Sequence, residues 1–170
     1  MDFKALIRDV PDFPKKGIVF KDITPLLADP RAFAAIVDRL SAPFAGRGVK
    51  AVAGIESRGF LLAAPIACRL GAGLIPIRKK GKLPRAVKSA SYALEYGSDS
   101  LEIHADAFKP GTDVLLVDDV LATGGTAAAA MELIAAAGGK AIGAAFLIEL
   151  AFLGGRKKLP GRELLSLVTY

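Results

Sequence analysis

The sequence predicts an α/β fold in which a parallel sheet is flanked by helices. Short apolar segments alternate along the chain with segments whose apolar residues recur at helical spacing. The order strand, helix, strand, helix, strand implies parallel strands with helices on both faces of the sheet. The 170 residues are 52% hydrophobic and 24% charged, the balance of a globular protein with a sizeable core. We expect residues 1–170 to form a single domain.

The elements are predicted in chain order, each from its own signal. Phe33, Ile36 and Leu40 lie at helical spacing and predict the first helix, and Gly71 ends the second. The predicted strands cover residues 49–55, 74–77, 114–117 and 141–148, and the predicted helices cover residues 31–44, 58–70 and 126–137. Ligands of such sheets bind beyond the carboxyl ends of the strands, so we expect functional residues just after each strand.

Residues 81–109 interrupt this alternation. They contain basic and small residues, and short stretches alternate weakly between apolar and polar positions. This pattern predicts a β-hairpin that turns at about residues 97–99. An arm of this length outside the regular alternation is often a functional lid, so we expect a flexible arm at about residues 81–108.

The net charge of +6 is compatible with two kinds of partner, nucleic acid or a small anionic substrate. Basic residues cluster at positions 78–82 and again at positions 156–158. The sequence has no helix-turn-helix pattern, zinc-finger spacing or aromatic-rich basic strand, so a small anion is the favoured partner. We interpret the second basic cluster as a solvated face.

The chain has the features of a reduced, cytoplasmic protein. The longest apolar runs, at residues 60–67 and 141–148, are far shorter than a membrane span. No apolar segment of the signal-peptide type follows Met1. Cys68 has no second cysteine to pair with and lies in an apolar segment, so we predict a small buried residue.

The most informative stretch is VLLVDDVLATGGT at residues 114–126. An apolar strand ends in Asp118 and Asp119, and a loop of small residues then leads into a helix. Glycines allow backbone N–H groups to approach an anion, and the start of a helix adds partial positive charge. The two carboxylates can accept hydrogen bonds from sugar hydroxyls or hold a bound Mg²⁺. Alternatively, the turn is purely structural and the aspartates are solvated.

Residues 117–126, VDDVLATGGT, resemble the phosphoribosyl-pyrophosphate signature of the type I phosphoribosyltransferases. The resemblance implies the fold of that family, with an N-terminal hood at about residues 1–30 and a flexible hairpin arm. It implies that Asp118 and Asp119 face the ribose. It also implies that a loop wraps the 5′-phosphate, and this loop comprises Ala122, Thr123, Gly124, Gly125 and Thr126.

Other segments resemble the adenine phosphoribosyltransferases within that family. FPKKGIVFKDITPLL at residues 13–27 is similar to their hood, and AGIESRGF at residues 53–60 to their pyrophosphate loop. IRKKGKLP at residues 77–84 and YALEYG at residues 92–97 are similar to their flexible loop. The implied adenine-binding residues are Val19, Phe20 and Lys21, and the implied pyrophosphate-binding residues are Glu56, Ser57, Arg58, Arg78 and Lys82. The resemblance further implies Glu95 as the catalytic residue and a cis peptide between Glu56 and Ser57.

Each of these residues also has a purely structural interpretation. Phe20 can be an ordinary core residue, Glu56 and Arg58 can merely pair at a helix start, and Glu95 can be a solvent-facing strand residue. His104, the only histidine, belongs to none of the motifs, and we predict that it lies on the surface of the hairpin. The sequence departs from many family members at Lys21, where they carry arginine, and at Glu56, where they carry aspartate.

The resemblance implies a purine salvage enzyme that converts adenine and phosphoribosyl pyrophosphate to AMP and pyrophosphate with Mg²⁺. It also implies a homodimer in which Arg78 reaches the partner's site. Two alternatives stay open on the sequence alone. One is a regulator that senses phosphoribosyl pyrophosphate and binds nucleic acid, since such proteins reuse the same fold. The other is an enzyme of the same class that uses hypoxanthine, guanine or xanthine.

Overall fold

A mixed, mostly parallel sheet is the centre of this computed structural model, which describes residues 1–93 and 98–170. The described strands are β1 (Arg8–Pro11), β2 (Val19–Asp22), β3 (Ala51–Ile55), β4 (Gly73–Lys79), β5 (Val87–Ala93), β6 (Ser98–His104), β7 (Thr112–Leu121), β8 (Gly139–Glu149) and β9 (Leu164–Thr169). The described helices are α1 (Thr24–Ala28), α2 (Pro30–Ser41), α3 (Arg58–Leu70) and α4 (Gly125–Ala136). Short 3₁₀ turns lie at Lys4–Leu6, Ala42–Phe44, Ala151–Leu153 and Gly155–Lys158.

The sheet order within the described residues is β5-β6-β4-β3-β7-β8-β9. Strands β4, β3, β7, β8 and β9 are parallel, whereas β6 pairs antiparallel with both β4 and β5. Strands β1 and β2 form a separate antiparallel pair. The predicted fold class is therefore confirmed: the five central strands are parallel, and helices pack against the sheet.

The two faces of the sheet are covered by different helices. On β7, Leu115 and Val117 are buried in a cluster that includes residues of α2 and α3. The alternate residues Val114 and Leu116 are buried in a second cluster with α4 and strand β6. Because successive side chains of a strand point to opposite faces, one apolar strand supports both layers. These buried layers bring the carboxyl ends of β3, β4 and β7 to one edge of the sheet.

Helix α2 shows how the local sequence sets an element's boundaries. The Asp29 carboxylate accepts hydrogen bonds from the N–H groups of Arg31 and Ala32, both at 2.9 Å, and Pro30 occupies the first helical position. The helix was predicted to reach residue 44 but ends at Ser41 and continues as a 3₁₀ turn. Pro43 lies in that turn and has no N–H to extend the helical hydrogen bonding.

Two boundaries near the predicted site differ from expectation. Strand β7 was predicted to end at residue 117 but continues to Leu121, because Asp118 and Val120 pair with Phe146 and Ile148 of β8. Strands β5 and β6 pair antiparallel in the predicted arm, but the placement of the turn was wrong for Ser98 and Asp99. Both belong to β6, where Asp99 pairs with Tyr92. Position 97 lies outside the described residues.

Two single-residue predictions were also wrong. Cys68 is exposed, because α3 is buried through Leu62, Ile66 and their neighbours, and position 68 faces away from that side. His104 is half-buried rather than on the surface, and its Nδ1 atom is buried without a hydrogen-bond partner. Among the described residues, no helix is long and apolar enough to cross a membrane.

Candidate active site at the carboxyl edge of the sheet

The acidic pair Asp118 and Asp119 lies near the carboxyl end of β7. Asp119 is 5% exposed, and Arg58 Nε lies 2.7 Å from Asp119 Oδ2. Asp119 Oδ2 is therefore ion-paired with Arg58, but it is buried without a hydrogen bond. The Asp118 carboxylate accepts a hydrogen bond from the Asp119 N–H at 2.9 Å. The alternative in which these aspartates are solvated loop residues is therefore excluded.

Burial makes the charges of this pair costly. Burial and the adjacent Asp119 charge raise the pKa of Asp118 well above its ordinary value. Burial also raises the pKa of Asp119, although the Arg58 guanidinium offsets part of that effect. Two adjacent carboxyl groups with raised pKa values in a sheet-edge site are typical of a functional site.

Helix α3 begins directly against this pair because residue 59 is glycine. A Cβ at Gly59 would lie 2.7 Å from Asp118 Oδ1 and 3.1 Å from the Val117 carbonyl oxygen. Any side chain at this position would push α3 away from β7. The close approach brings the turn of residues 56–58 beside the acidic pair.

The turn of residues 56–58 joins β3 to α3. Its Glu56–Ser57 peptide is cis, as the family resemblance implied. Arg78 Nε and Nη2 donate to the Glu56 carboxylate at 3.2 and 3.3 Å, and the Lys79 N–H donates to it at 3.0 Å. Burial favours a higher pKa for Glu56, but these hydrogen bonds outweigh it and hold the pKa below its ordinary value. Ser57 does not cap α3 with its side chain, so the first N–H groups of this helix are free of that contact.

The loop between β7 and α4 has the geometry of an anion site. Helix α4 begins at Gly125, and its N-cap residue is Gly124 with φ +79°, so no side chain caps the first turn. Backbone N–H groups at such a helix start are available to a ligand, and the helix dipole favours negative charge there. Thr123 is exposed, while Ala122 and Thr126 are half-buried. The predicted phosphate-binding residues are thus brought together at one turn.

Sequence reasoning missed the segment that packs behind this loop. Gly155 is buried against the loop backbone: a Cβ on Gly155 would overlap the Ala122 carbonyl oxygen, and one on Gly124 would overlap the Gly155 carbonyl oxygen. The basic residues 156–158 are exposed, as predicted, but Arg156 also has a structural role: its Nε and Nη2 donate to the Glu149 carboxylate at 2.6 and 2.7 Å. The adjacent glycines at positions 154 and 155, just after the end of β8, were the sequence signal that could have predicted this close backbone contact.

The predicted base-binding residues lie on β2, next to the turn of residues 56–58. Phe20 is half-buried and outside both core clusters, so the alternative in which it is a core residue is wrong. Its ring meets the Phe13 ring edge-on, with centroids 5.1 Å apart, and the Arg58 guanidinium lies 4.4 Å from its centroid. Arg58 also donates to the Lys21 carbonyl oxygen at 3.4 Å, while Val19 is 47% exposed. Arg58 therefore connects the acidic pair to β2.

The arm is fixed at its base. Glu102, 6% exposed, accepts hydrogen bonds from the Gly81 N–H at 2.9 Å and from the Ser89 hydroxyl at 3.3 Å. Arg78 Nη1 donates to the backbone carbonyl oxygen of Lys82 at 3.1 Å. The Lys82 side chain is exposed and takes no part in that contact. Glu95, the predicted catalytic residue, lies outside the described residues.

The acidic pair consists of carboxylates, the kind of oxygen ligand that Mg²⁺ accepts. Mg²⁺ is usually held by one or two carboxylates together with substrate phosphates, rather than by a cage of protein ligands. Asp119 Oδ2 is buried and makes no hydrogen bond, although the Arg58 guanidinium lies 2.7 Å from it, and Asp118 is beside it. Within residues 1–93 and 98–170, no three His, Cys, Asp or Glu side chains cluster as metal ligands.

Comparison with known proteins identifies the family of this site. A sequence profile described as the phosphoribosyl transferase domain matches residues 21–162. The chain is 61% identical over 164 residues to the adenine phosphoribosyltransferase of Acidothermus cellulolyticus, covering 96% of this chain and 93% of that protein. It is 54% identical over 169 residues to the Geobacter metallireducens enzyme of the same name, covering 99% of both.

Solved structures agree with the sequence relatives. The adenine phosphoribosyltransferase of Thermoanaerobacter pseudethanolicus has a TM-score of 0.96 and 51% identity, with 99% of this chain and 98% of that chain covered. The Giardia lamblia enzyme complexed with 9-deazaadenine has a TM-score of 0.94 and 41% identity, with 99% and 96% covered. The chain described here therefore belongs to the phosphoribosyltransferase family and, within it, to the adenine phosphoribosyltransferases.

Proposed function

We propose that the carboxyl edge of the sheet is the site where this chain converts adenine and phosphoribosyl pyrophosphate to AMP and pyrophosphate. The reaction breaks the bond between ribose C1′ and a pyrophosphate oxygen, forms a bond from C1′ to a ring nitrogen of adenine, and releases the proton of that nitrogen. The convergence of the acidic pair, the uncapped start of α4 and the turn of residues 56–58 carries this proposal.

The loop from Ala122 to Thr126 holds the 5′-phosphate. Its glycines allow backbone N–H groups to approach the phosphate oxygens, and the Thr123 and Thr126 hydroxyls add donors. The absence of a side-chain cap on α4 supports this assignment, since those N–H groups need a partner. This half of the site binds the sugar phosphate and does not take part in proton transfer.

Asp118 and Asp119 hold the ribose hydroxyls. A transition state in which pyrophosphate departs before the base bonds fully places positive charge on the sugar ring. Asp119 is buried and Asp118 is half-buried, and carboxylates withdrawn from solvent stabilise such charge more strongly than solvated ones would. The same two residues would hold a Mg²⁺ ion, which supplies positive charge to the leaving pyrophosphate when bound.

The pyrophosphate is bound by Glu56, Ser57, Arg58, Arg78 and Lys82. The N–H groups of Arg58 and Gly59 at the start of α3, together with the guanidinium groups, provide donors for its oxygens. Arg58 has five N–H donors, so it can contact pyrophosphate while it remains beside Asp119. Glu56 acts by orienting Arg78 and the end of β4, which its hydrogen bonds support.

The base is bound by Val19, Phe20 and Lys21. Phe20 presents a half-buried ring for stacking, and backbone groups of Val19 and Lys21 read the edge of the base. Glu95 accepts the proton that the adenine ring nitrogen loses as the new bond forms.

The remaining parts of the proposal concern cover and assembly. Residues 1–30 form a hood over the base, and residues 81–108 form an arm that closes during turnover and excludes water. The chain acts in the cytoplasm as a homodimer. Arg78 already contacts Glu56 of its own chain, so a contact with the partner's site would use its remaining N–H groups.

A turnover assay with phosphoribosyl pyrophosphate, Mg²⁺ and each purine in turn tests this proposal. We expect AMP and pyrophosphate from adenine and no turnover with hypoxanthine, guanine or xanthine. Hydrogen exchange of residues 81–108, with and without phosphoribosyl pyrophosphate plus a base analogue, tests the arm. Product formation from another purine at a similar rate would overturn the assignment of the base site, and equal exchange in both states would overturn the lid.

A further inference from the structure

Behind the phosphate loop, the chain makes a contact between two backbones. Gly155 and the backbone of residues 122–124 touch so closely that a Cβ on either Gly155 or Gly124 would overlap the opposite carbonyl oxygen. A contact of this kind leaves no room for adjustment by a side chain. The position of Gly155 therefore determines where the loop lies.

Arg156 fixes the position of Gly155. Its guanidinium binds both oxygens of the Glu149 carboxylate, through Nε at 2.6 Å and Nη2 at 2.7 Å. Nη1 donates to the carbonyl oxygen of Leu164 at 3.2 Å, and Nη2 donates to the Ser166 hydroxyl at 3.3 Å. One side chain therefore joins the 3₁₀ turn Gly155–Lys158 to the end of β8 and to β9.

Glu149 is itself held firmly at the end of β8. It is 6% exposed, and its carbonyl oxygen accepts a hydrogen bond from the Tyr170 N–H at 2.9 Å. The next residue, Leu150, donates its N–H to the carbonyl oxygen of Leu121 at 2.9 Å, at the end of β7. The hydrogen bond from Arg156 lowers the pKa of the Glu149 carboxyl, so the pair is ionised at neutral pH. The phosphate loop starts directly after Leu121, so the pair and the loop share one support.

We propose that Arg156, acting through Glu149, is a positioning residue for the 5′-phosphate loop. The inference rests on the proposal that residues 122–126 bind that phosphate. The planar guanidinium matches the carboxylate in two places at once, which an ammonium group cannot do. Replacement by lysine keeps the charge but loses the second contact. Gly155 then shifts, and with it the N–H groups that face the phosphate.

The test measures the dissociation constants of AMP and of adenosine, which lacks the phosphate, for the full chain by calorimetry. We expect Arg156→Lys to weaken AMP binding by about 10- to 100-fold, because small displacements of a preorganised site are costly. Adenosine binding should stay within about twofold, since the base and ribose residues do not contact this pair. Glu149→Gln, which keeps the shape of the acceptor side chain, should weaken AMP binding in the same selective way.

Lys157→Ala is the matched control, because Lys157 is exposed in the same 3₁₀ turn, and its AMP affinity should match the parent's. If Arg156→Lys weakens the binding of AMP and adenosine equally, Arg156 is a general stability residue. If it changes the binding of neither ligand, Arg156 has no role in the site. Either result overturns the inference. If the parent itself binds AMP no better than adenosine, the phosphate loop is wrongly assigned and both proposals fail. If the parent discriminates and Arg156→Lys discriminates equally well, only the positioning role fails.

Discussion

The two halves of the site are built in different ways. The phosphate half, residues 121–126 with Glu149, Gly155 and Arg156, rests on backbone packed against backbone and on a carboxylate that is 6% exposed. The base half, strands β1 and β2 with the hairpin arm, has buried anchoring only at the base of the arm, through Glu102, whereas Phe13 and Val19 are 51% and 47% exposed. One half is fixed before ligand binds, whereas the other has room to adjust.

The difference follows from what each half must do. An anion is held best by N–H groups whose positions are preorganised, because no reorganisation is then needed when charge develops. A purine must enter and leave, and a cover that moves serves this purpose. We therefore expect changes in the phosphate half to act on sugar phosphate binding. Changes in the base half should act on the chemical step or on affinity for adenine.

Glu95→Gln should produce the largest effect, and it tests whether the base half contributes to the chemistry. The substitution keeps size and polarity but removes the group that accepts the proton. General acid–base help is worth about 10²–10⁴-fold in rate, so kcat should fall on that order while KM for phosphoribosyl pyrophosphate stays near the parent's. Steady-state kinetics measures both, and Glu132→Gln, an exposed residue of α4, is the control. Parental kcat with chemistry rate-limiting would show that the proton leaves by another route.

Gly124→Ala should produce the next largest effect, on the phosphate half. The new Cβ would overlap the Gly155 carbonyl oxygen, so the loop must move, and KM for phosphoribosyl pyrophosphate should rise by about 10²-fold. Gly161→Ala is a matched control, because Gly161 also has positive φ, +67°, but nothing within 4 Å of a Cβ. The control carries the backbone strain of about 1–2 kcal/mol without the overlap.

Equal KM values in these two glycine variants would mean that the loop tolerates displacement. The phosphate half would then be no more rigid than the base half, and the contrast between them would not hold.

The same contrast separates what the sequence predicted from what it did not. Strand β7, the acidic pair and the start of α4 were predicted because their signals lie within one short stretch, residues 114–126. The pairing of Arg156 with Glu149 was missed because the sequence neighbours of neither residue distinguish a paired, buried carboxylate from a solvated one. The two-stranded sheet of β1 and β2 was missed for a similar reason: these short strands are defined by pairing with each other.

Single-residue burial was the other point where prediction failed. Cys68 lies in an apolar segment, and its exposure depends on which side of α3 meets the sheet. The close approach at Gly59 likewise depends on where α3 crosses β7, which no local pattern specifies. Motif residues can be proposed from sequence because the chemistry restricts them directly, whereas supporting residues are restricted only by three-dimensional packing.

Phe20→Leu should produce a smaller effect, confined to the base half. Loss of an aromatic stacking partner is worth about 0.5–1.5 kcal/mol, so KM for adenine should rise by roughly 3- to 10-fold. KM for phosphoribosyl pyrophosphate should change less than KM for adenine, because Phe20 is linked to the pyrophosphate residues only through Arg58, whose guanidinium lies 4.4 Å from its ring centroid. Phe33→Leu is the control, since Phe33 is also half-buried but belongs to α2 and packs against the core. An unchanged KM for adenine would place the base elsewhere.

Asp118→Asn should produce the smallest of the four effects. It changes the stability of the fold, and it probes the boundary between the two halves of the site. The pKa of Asp118 is higher in the folded protein than in the unfolded chain, where it is about 4. At a pH between these two values, the folded protein therefore binds more protons than the unfolded chain. The parent therefore loses stability as pH rises through that window. Asparagine has no charge to bury, and its amide oxygen can still accept the Asp119 N–H.

The variant should gain on the order of 1 kcal/mol in free energy of unfolding at pH 7, a common size for relief of a functional site's strain. Urea unfolding at pH 7 and pH 5 measures this, and the gain should be larger at pH 7. Asp113→Asn, at the opposite end of β7 and 3.9 Å from Lys140, should change stability by less than about 0.5 kcal/mol. Binding of phosphoribosyl pyrophosphate should weaken in Asp118→Asn at the same time. If the variant gains no stability at pH 7, the Asp118 charge is not costly in the folded chain. The acidic pair would then belong with the adjustable half of the site.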